Sequence, residues 1–237
     1  MNRIARIILK NPIKIIAAYV KLSYWANHPE KYTTGQLWDY IQYIMGFVMK
    51  SANVQLTVTG TENIPSDGGC MLHGNHQGMF DVIAIAHTCP IPLAIVYKQE
   101  LKNVPLLKQI LKCTRSYALD REDARQGITV MQAVTKNVCE GASYVIFPEG
   151  TRSKKGNEMN EWHAGSMRCA LKAKCPIVPM AFVDCFKVFD QKGSKPVCAQ
   201  IHYLEPIPFD EFSSLKTTEL AQLVKSRVQA ALDRYAQ

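Results

Sequence analysis

Gly69-Cys70-Met71-Leu72-His73-Gly74-Asn75-His76-Gln77-Gly78-Met79-Phe80-Asp81 is the stretch that decides the fold. A short apolar run from Gly69 to Leu72 reads as a strand, a polar turn between two glycines follows, and an apolar helical pattern opens at Met79. Strand, turn and helix in that order are the repeating unit of an α/β domain, with chemistry placed where the strand ends. His76 and Asp81 lie five positions apart. In a helix such residues diverge by about 140°, and in a strand they face opposite sides, so only a turn can pair them. Gly74 and Gly78 supply the backbone freedom for it. Asp81 then falls in the first turn of the helix, where its charge suits the helix dipole. Its carboxylate can accept a hydrogen bond from one ring nitrogen of His76 and leave the other as a base.

Outward from this stretch the pattern holds. Strands are expected near Val54–Thr59, Gly69–Leu72, Leu93–Tyr97, Tyr144–Phe147, Ile177–Phe182 and Ala199–Tyr203, and helices near Met79–His87, Leu101–Leu111, Asp123–Cys139, Trp162–Ala173 and Thr217–Tyr235. The 237 residues suffice for one sizeable core, and no Ser/Gly/Pro-rich linker divides them. Residues 53–237 are read as the catalytic domain and residues 1–52 as a helical appendage. The eight cysteines show no C-x-x-C pair and no His/Cys ligand spacing, which argues against a zinc or redox motif and for reduced thiols in the cytosol.

A formal charge of +8 favours an anionic partner. Residues 1–50 carry seven Lys or Arg against two acids. A helix starts at Asn11-Pro12, with Asn11 as cap, or one kinked helix runs from residue 2. On it Lys10, Lys14 and Lys21 share a face, joined by Arg3 if the helix is continuous, and Ile8, Ile15, Ile16 and Tyr19 point the other way. A second helix begins near Thr33 or Thr34 and is apolar almost all round through Leu37, Trp38, Ile41, Ile44 and Phe47. Its apolar stretch of about 20 Å falls short of the roughly 30 Å hydrocarbon core. The pair packs on the main domain or sits as a hairpin in one leaflet of an anionic membrane. Aromatics interleaved with basic residues for base stacking are not evident, so nucleic acid is not an expected partner.

Phe147-Pro148-Glu149-Gly150-Thr151-Arg152-Ser153 closes an apolar strand with a carboxylate, a flexible residue, hydroxyls and a guanidinium. Such a set can bind a phosphate dianion, or it can be a polar turn in which Glu149 and Arg152 pair with each other.

Through these stretches and those that follow, the chain resembles the glycerolipid acyltransferase family. Asn75-His76-Gln77-Gly78-Met79-Phe80-Asp81 is similar to its N-H-x4-D block. Lys98-Gln99-Glu100-Leu101 and Tyr117-Ala118-Leu119-Asp120-Arg121 resemble its second region, Phe147–Ser153 matches F-P-E-G-T-R-S throughout, and Ile177-Val178-Pro179-Met180 resembles the fourth block. Ala118 and Met180 depart mildly from the family's usual residues. The resemblance implies an α/β fold with a mixed central sheet flanked by helices, and an N-terminal two-helix hairpin that associates with a membrane. It implies acyl transfer from acyl-CoA or an acyl carrier protein thioester to the sn-2 hydroxyl of 1-acylglycerol 3-phosphate (lysophosphatidic acid), giving phosphatidic acid, with no cofactor and no metal. His76 and Asp81 would be catalytic, and Lys98, Arg121, Glu149, Gly150, Thr151 and Arg152 would hold the acceptor. Backbone amides of the Gly74–Gly78 turn are the candidate oxyanion donors. Cys70, about 20 Å away along an extended segment, is not expected to be a nucleophile. The expected location is the cytoplasmic face of the cell membrane, peripheral or monotopic. Glycerol 3-phosphate or another lysolipid as acceptor, and a nonenzymatic protein binding an anionic membrane, are the alternatives.

Overall fold

The computed structural model describes residues 2–191, 193 and 195–236. Seven strands form one sheet: β1 (Val54–Thr59), β2 (Met71–Gly74), β3 (Leu93–Lys98), β4 (Tyr117–Leu119), β5 (Ser143–Ile146), β6 (Ile177–Val183) and β7 (Val197–Tyr203). Their order is β1-β7-β6-β2-β5-β3-β4. Only β6 and β7 pair antiparallel, so the sheet is mixed. β2, β5 and β6 are buried along their whole length, in keeping with continuous apolar runs in strands covered on both faces. At the edge, β1 alternates half-buried and exposed residues.

Alternation along the central strands builds two cores. Leu72, Val145 and Val178 face one side, and Met71, Tyr144, Ile146 and Ile177 face the other. The first side is covered by helices α2 (Pro12–Asn27), α3 (Thr34–Ala52) and α4 (Met79–Thr88), the second by α6 (Ala124–Cys139), α7 (Arg168–Ala173) and α10 (Thr217–Tyr235). Short helices α5 (Leu107–Cys113), α8 (Lys187–Asp190) and α9 (Phe209–Phe212) complete the fold.

The segment expected as one helix over Leu101–Leu111 is a 3-10 turn at Gln99–Asn103 followed by α5. Pro105 breaks it by holding Val104 extended, at φ −68° and ψ 121°. Similarly, Trp162–Ala173 is a 3-10 turn at Ala164–Met167 and then α7.

The N-terminal appendage has three helices rather than two. Helix α1 (Arg3–Lys10) precedes α2, with the break at Asn11. Asn11 makes no side-chain cap; its amide instead donates to Ile7 O (2.8 Å) and Ser51 Oγ (2.7 Å), tying the break to α3. Thr33 caps α3 and exchanges hydrogen bonds with Gln36. The helix is apolar almost all round because it is wrapped: Ile41 and Ile44 join the same core as Leu72 and Val145, and Trp38 Nε1 donates to Cys89 O at 3.0 Å. The division expected at residue 52 is therefore no packing boundary.

Arg3 does not share the face of Lys10, Lys14 and Lys21. It is buried, and its guanidinium donates to Val188 O, Gln191 O and Lys195 O. Carbonyls at a short helix's end lack intrahelical donors, and the planar fork supplies them. Ile8, Ile16 and Tyr19 are exposed, together with Leu9, Ile13 and Val20, whereas Ile15 is half-buried against the core. No helix among the described residues is long and apolar enough to cross a membrane.

Candidate active site

His76 sits in the turn between β2 and α4. Its Nδ1 lies 2.8 Å from Asp81 Oδ2, the pairing the spacing requires. Asp81 is wholly buried, and the same oxygen accepts from the backbone N–H of Gln77 (2.7 Å) and Gly78 (2.9 Å). The carboxylate thus folds the turn and fixes the ring together. Because those two amides are occupied, they are not free to serve as oxyanion donors. His76 N–H is also taken, by Glu149 Oε1 at 2.7 Å. The Phe147 ring stacks on the imidazole with centroids 4.2 Å apart. Nε2 of His76 has no protein partner among the described residues and belongs to a side chain that lines a cavity.

Flanking residues clamp the turn. Asn75 exchanges two hydrogen bonds with the backbone of Phe182 on β6, at 2.9 and 2.8 Å. Gln77 accepts from Cys185 N–H and donates to Asn157. Neither glycine of the turn adopts a positive φ. A Cβ on Gly74 would stand 2.8 Å from Met180 O, so close backbone approach is what demands glycine there.

Glu149 is 2% exposed, and its second oxygen accepts from Asn160 N–H at 2.8 Å. Burial raises its pKa, against the opposing pull of the Asn160 and His76 amides. Each oxygen accepts from one backbone N–H, and among the described residues Glu149 forms no ion pair with Arg152; it ties the end of β5 to the histidine turn. Gly150 has φ +65°, and a Cβ there would press within 3.2 Å of the His163 ring.

A cavity of about 790 Å³ opens beside His76, at the carboxyl ends of β3, β4 and β5. Of the residues expected to hold the acceptor, Lys98, Arg121, Glu149, Gly150 and Thr151 line it. Arg152 is exposed and does not. Lys98 is half-exposed and paired with Glu100, whose carboxyl it holds below the usual range. The sequence reading missed His163, Arg168 and Lys172, which also line the cavity. Only the position of α7 brings the latter two there, and no motif marks them. Cys70 is fully buried beside Ser143, and burial raises its thiol pKa, which removes it as a nucleophile. Among the described residues no cluster of three His, Cys, Asp or Glu side chains could hold a metal ion.

A histidine oriented by a buried carboxylate thus lines a large cavity with cations in its walls, at the carboxyl end of an α/β sheet. The chain belongs to the acyltransferase family, whose sequence model matches residues 55–183. It is 26% identical over 184 residues to the 1-acyl-sn-glycerol-3-phosphate acyltransferase of Borreliella burgdorferi, covering 77% of this chain and 73% of that protein. The Helicobacter pylori enzyme of the same name is 30% identical over 139 residues, 58% of this chain and 59% of that protein. The Saccharomyces cerevisiae one is 24% identical over 218 residues, 90% and 70% respectively. The crystal structure of the 1-acyl-sn-glycerophosphate acyltransferase PlsC from Thermotoga maritima has the same fold, with a TM-score of 0.74 at 17% identity over 94% of this chain and 97% of that one.

Proposed function

We propose that the protein transfers an acyl chain from a thioester, acyl-CoA or acyl carrier protein, to the sn-2 hydroxyl of 1-acylglycerol 3-phosphate, giving phosphatidic acid. The observation that carries this reading is the His76–Asp81 pair, with Nδ1 committed to the carboxylate and Nε2 left toward the cavity. Nε2 takes the hydroxyl proton as the oxygen attacks the thioester carbonyl. Asp81 holds the tautomer and stabilises the imidazolium. Collapse of the tetrahedral intermediate breaks the carbon–sulfur bond, and the departing thiolate recovers the proton from His76. Burial of Cys70 favours direct transfer over an acyl-enzyme.

Arg121 and Lys98, beside the Gly150-Thr151 turn, hold the acceptor phosphate, and Arg152 adds charge outside the cavity. The exposed Lys98–Glu100 pair costs little to open for a dianion. A lipid acceptor suits the exposed apolar surface of α1 and α2, which seats the protein on the cytoplasmic face of the membrane as a peripheral or monotopic enzyme.

The test is a purified-protein assay with labelled acyl-CoA or acyl carrier protein against 1-acylglycerol 3-phosphate, glycerol 3-phosphate and unphosphorylated 1-acylglycerol. His76→Ala should lower kcat by about 100- to 10,000-fold. Arg121→Ala should raise the acceptor KM about tenfold with kcat held, the sign of lost uniform binding. Undiminished turnover in His76→Ala would reject the base, and equal use of the unphosphorylated acceptor would reject the phosphate site.

A further inference from the structure

The catalytic cavity is longer than its acceptor end requires. Its volume of about 790 Å³ is that of a site for a drug-sized ligand, well beyond a glycerol phosphate headgroup. It follows α6 from Asp123 to Thr135. Twelve residues at about 1.5 Å each make that wall about 18 Å long. On the other side lies α7, docked through Cys169, whose Sγ is 3.4 Å from Met131 O. Arg168 and Lys172, one turn apart on α7, therefore flank the groove from about the level of Met131 onward, about 12 Å from its head.

Cations stand at both ends. The acids lining the cavity are all engaged: Asp120 accepts from Glu122 N–H and Gln99, Asp123 caps α6, and Glu149 holds two amides. Among the described residues, the side chains of Arg168 and Lys172 have no ion pair and no hydrogen bond. The rest of the lining mixes Ile128, Met131 and Leu119 with the polar Gln132 and Ser166. Two exposed, unpaired cations offer a phosphate charge-assisted hydrogen bonds and offer an alkyl terminus nothing. The acceptor phosphate is already served by Arg121 and Lys98 at the near end.

We propose that the α6–α7 groove is the acyl-donor channel, receiving a phosphopantetheine arm whose thioester reaches His76 and whose phosphate is held by Arg168 and Lys172. From sulfur to phosphate that arm, with its two amides, is equivalent to about four extended residues, or about 14 Å. An arm of that length is comparable with the groove wall of about 18 Å along which the two cations stand. CoA and acyl carrier protein share the arm and its phosphate. The assignment rests on the thioester-dependent reading above and adds the donor's place to it.

The decisive comparison is between 4′-phosphopantetheine and pantetheine as competitors of acyl transfer, in the full chain and in Arg168→Ala/Lys172→Ala. Both side chains are exposed, so the fold should survive their loss. The phosphorylated arm should inhibit wild type at about tenfold lower concentration than pantetheine, and the gap should vanish in the double variant. Donor KM should rise about ten- to thirtyfold with acceptor KM and kcat unchanged, whereas Arg168→Lys should retain most of the affinity. A rise confined to acyl-CoA makes the free thioester the source, and one confined to acyl carrier protein makes it the carrier. No rise with either donor, a shift in acceptor KM instead, or a gap that survives the double substitution would overturn the channel. Calorimetry of 4′-phosphopantetheine binding separates the two proposals. Saturable binding lost in the double variant upholds the channel even if no acyl group reaches 1-acylglycerol 3-phosphate, a failure that would count against the proposed reaction alone.

Discussion

Asp81 and Glu149 are both buried acids, and they hold one histidine from two sides. Asp81 fixes the imidazole through Nδ1, while Glu149 fixes the backbone through the His76 amide. Each spends its charge on backbone donors as well, which offsets the cost of burying it. His73, three residues upstream, has no such compensation. It is fully buried with neither ring nitrogen partnered, and burial lowers its pKa from 6.5 to about 3. The unfolded chain therefore takes up a proton below pH 6.5 that the folded state refuses, so stability is present above that pH and drains away as pH falls toward 3. At pH 5 the loss from this one residue is about 2 kcal/mol. His73→Leu should remove it. The unfolding free energy from urea melts should drop between pH 8 and pH 5 by about 2 kcal/mol less in the variant than in wild type; equal drops in both would show that His73 is not the source.

At the scale of elements, legibility followed local signals. Helix α10 begins at Thr217 and ends at Tyr235, and β1 spans Val54–Thr59, both as read, because each has a clean period and clear ends. By contrast β4 is three half-buried residues at the sheet edge, too short to show alternation, and α5 was read straight through Pro105. The His76–Asp81 pair was legible because the two residues share one turn. The duty of Glu149 depends on Asn160 and His76, and the places of Arg168 and Lys172 depend on how α7 lies against α6; none of this is local in sequence. The place of Arg3 is likewise not local, since its three carbonyl acceptors lie more than 180 residues away. Arg3→Met keeps an unbranched apolar stem and removes the fork, so it should loosen α1 without unfolding the domain. In hydrogen exchange, amides of Ile7–Lys10 should lose at least about tenfold protection while those of α10 hold theirs. Unaltered exchange in α1 would mean that packing against α3, and not Arg3, holds the helix.

For the molecule as a whole, the N-terminal helices do two jobs on opposite faces. Inward, Ala18, Leu22, Ile41 and Ile44 complete the core that supports β2 and β5, so deleting the first fifty residues would strip the catalytic sheet of its cover. Outward, Leu9, Ile13 and Ile16 are 69%, 81% and 64% exposed, and Val20 and Tyr24 extend the stripe along α2. This exposed apolar stripe is the surface on which the proposed seating on a membrane rests. Lys10, Lys14 and Lys21 stand nearby, and Lys14 and Lys21 lie over the rings of Phe47 and Tyr40, at 5.6 and 3.9 Å. That arrangement buries the stems and leaves charge for anionic headgroups. Substituting the surface, without deleting the helices, isolates the outward job. Leu9→Ser/Ile13→Ser/Ile16→Ser should keep the thermal midpoint within a few degrees, since none of the three supports the core. Each side chain contributes at most about 1.5–3 kcal/mol when fully buried in lipid. Even shallow insertion of all three then exceeds about 1.4 kcal/mol, and co-sedimentation with anionic vesicles should weaken by more than about tenfold. Turnover of an acceptor dispersed below its aggregation threshold should persist while turnover in vesicles falls. Vesicle binding equal to wild type would place the membrane contact elsewhere on the molecule.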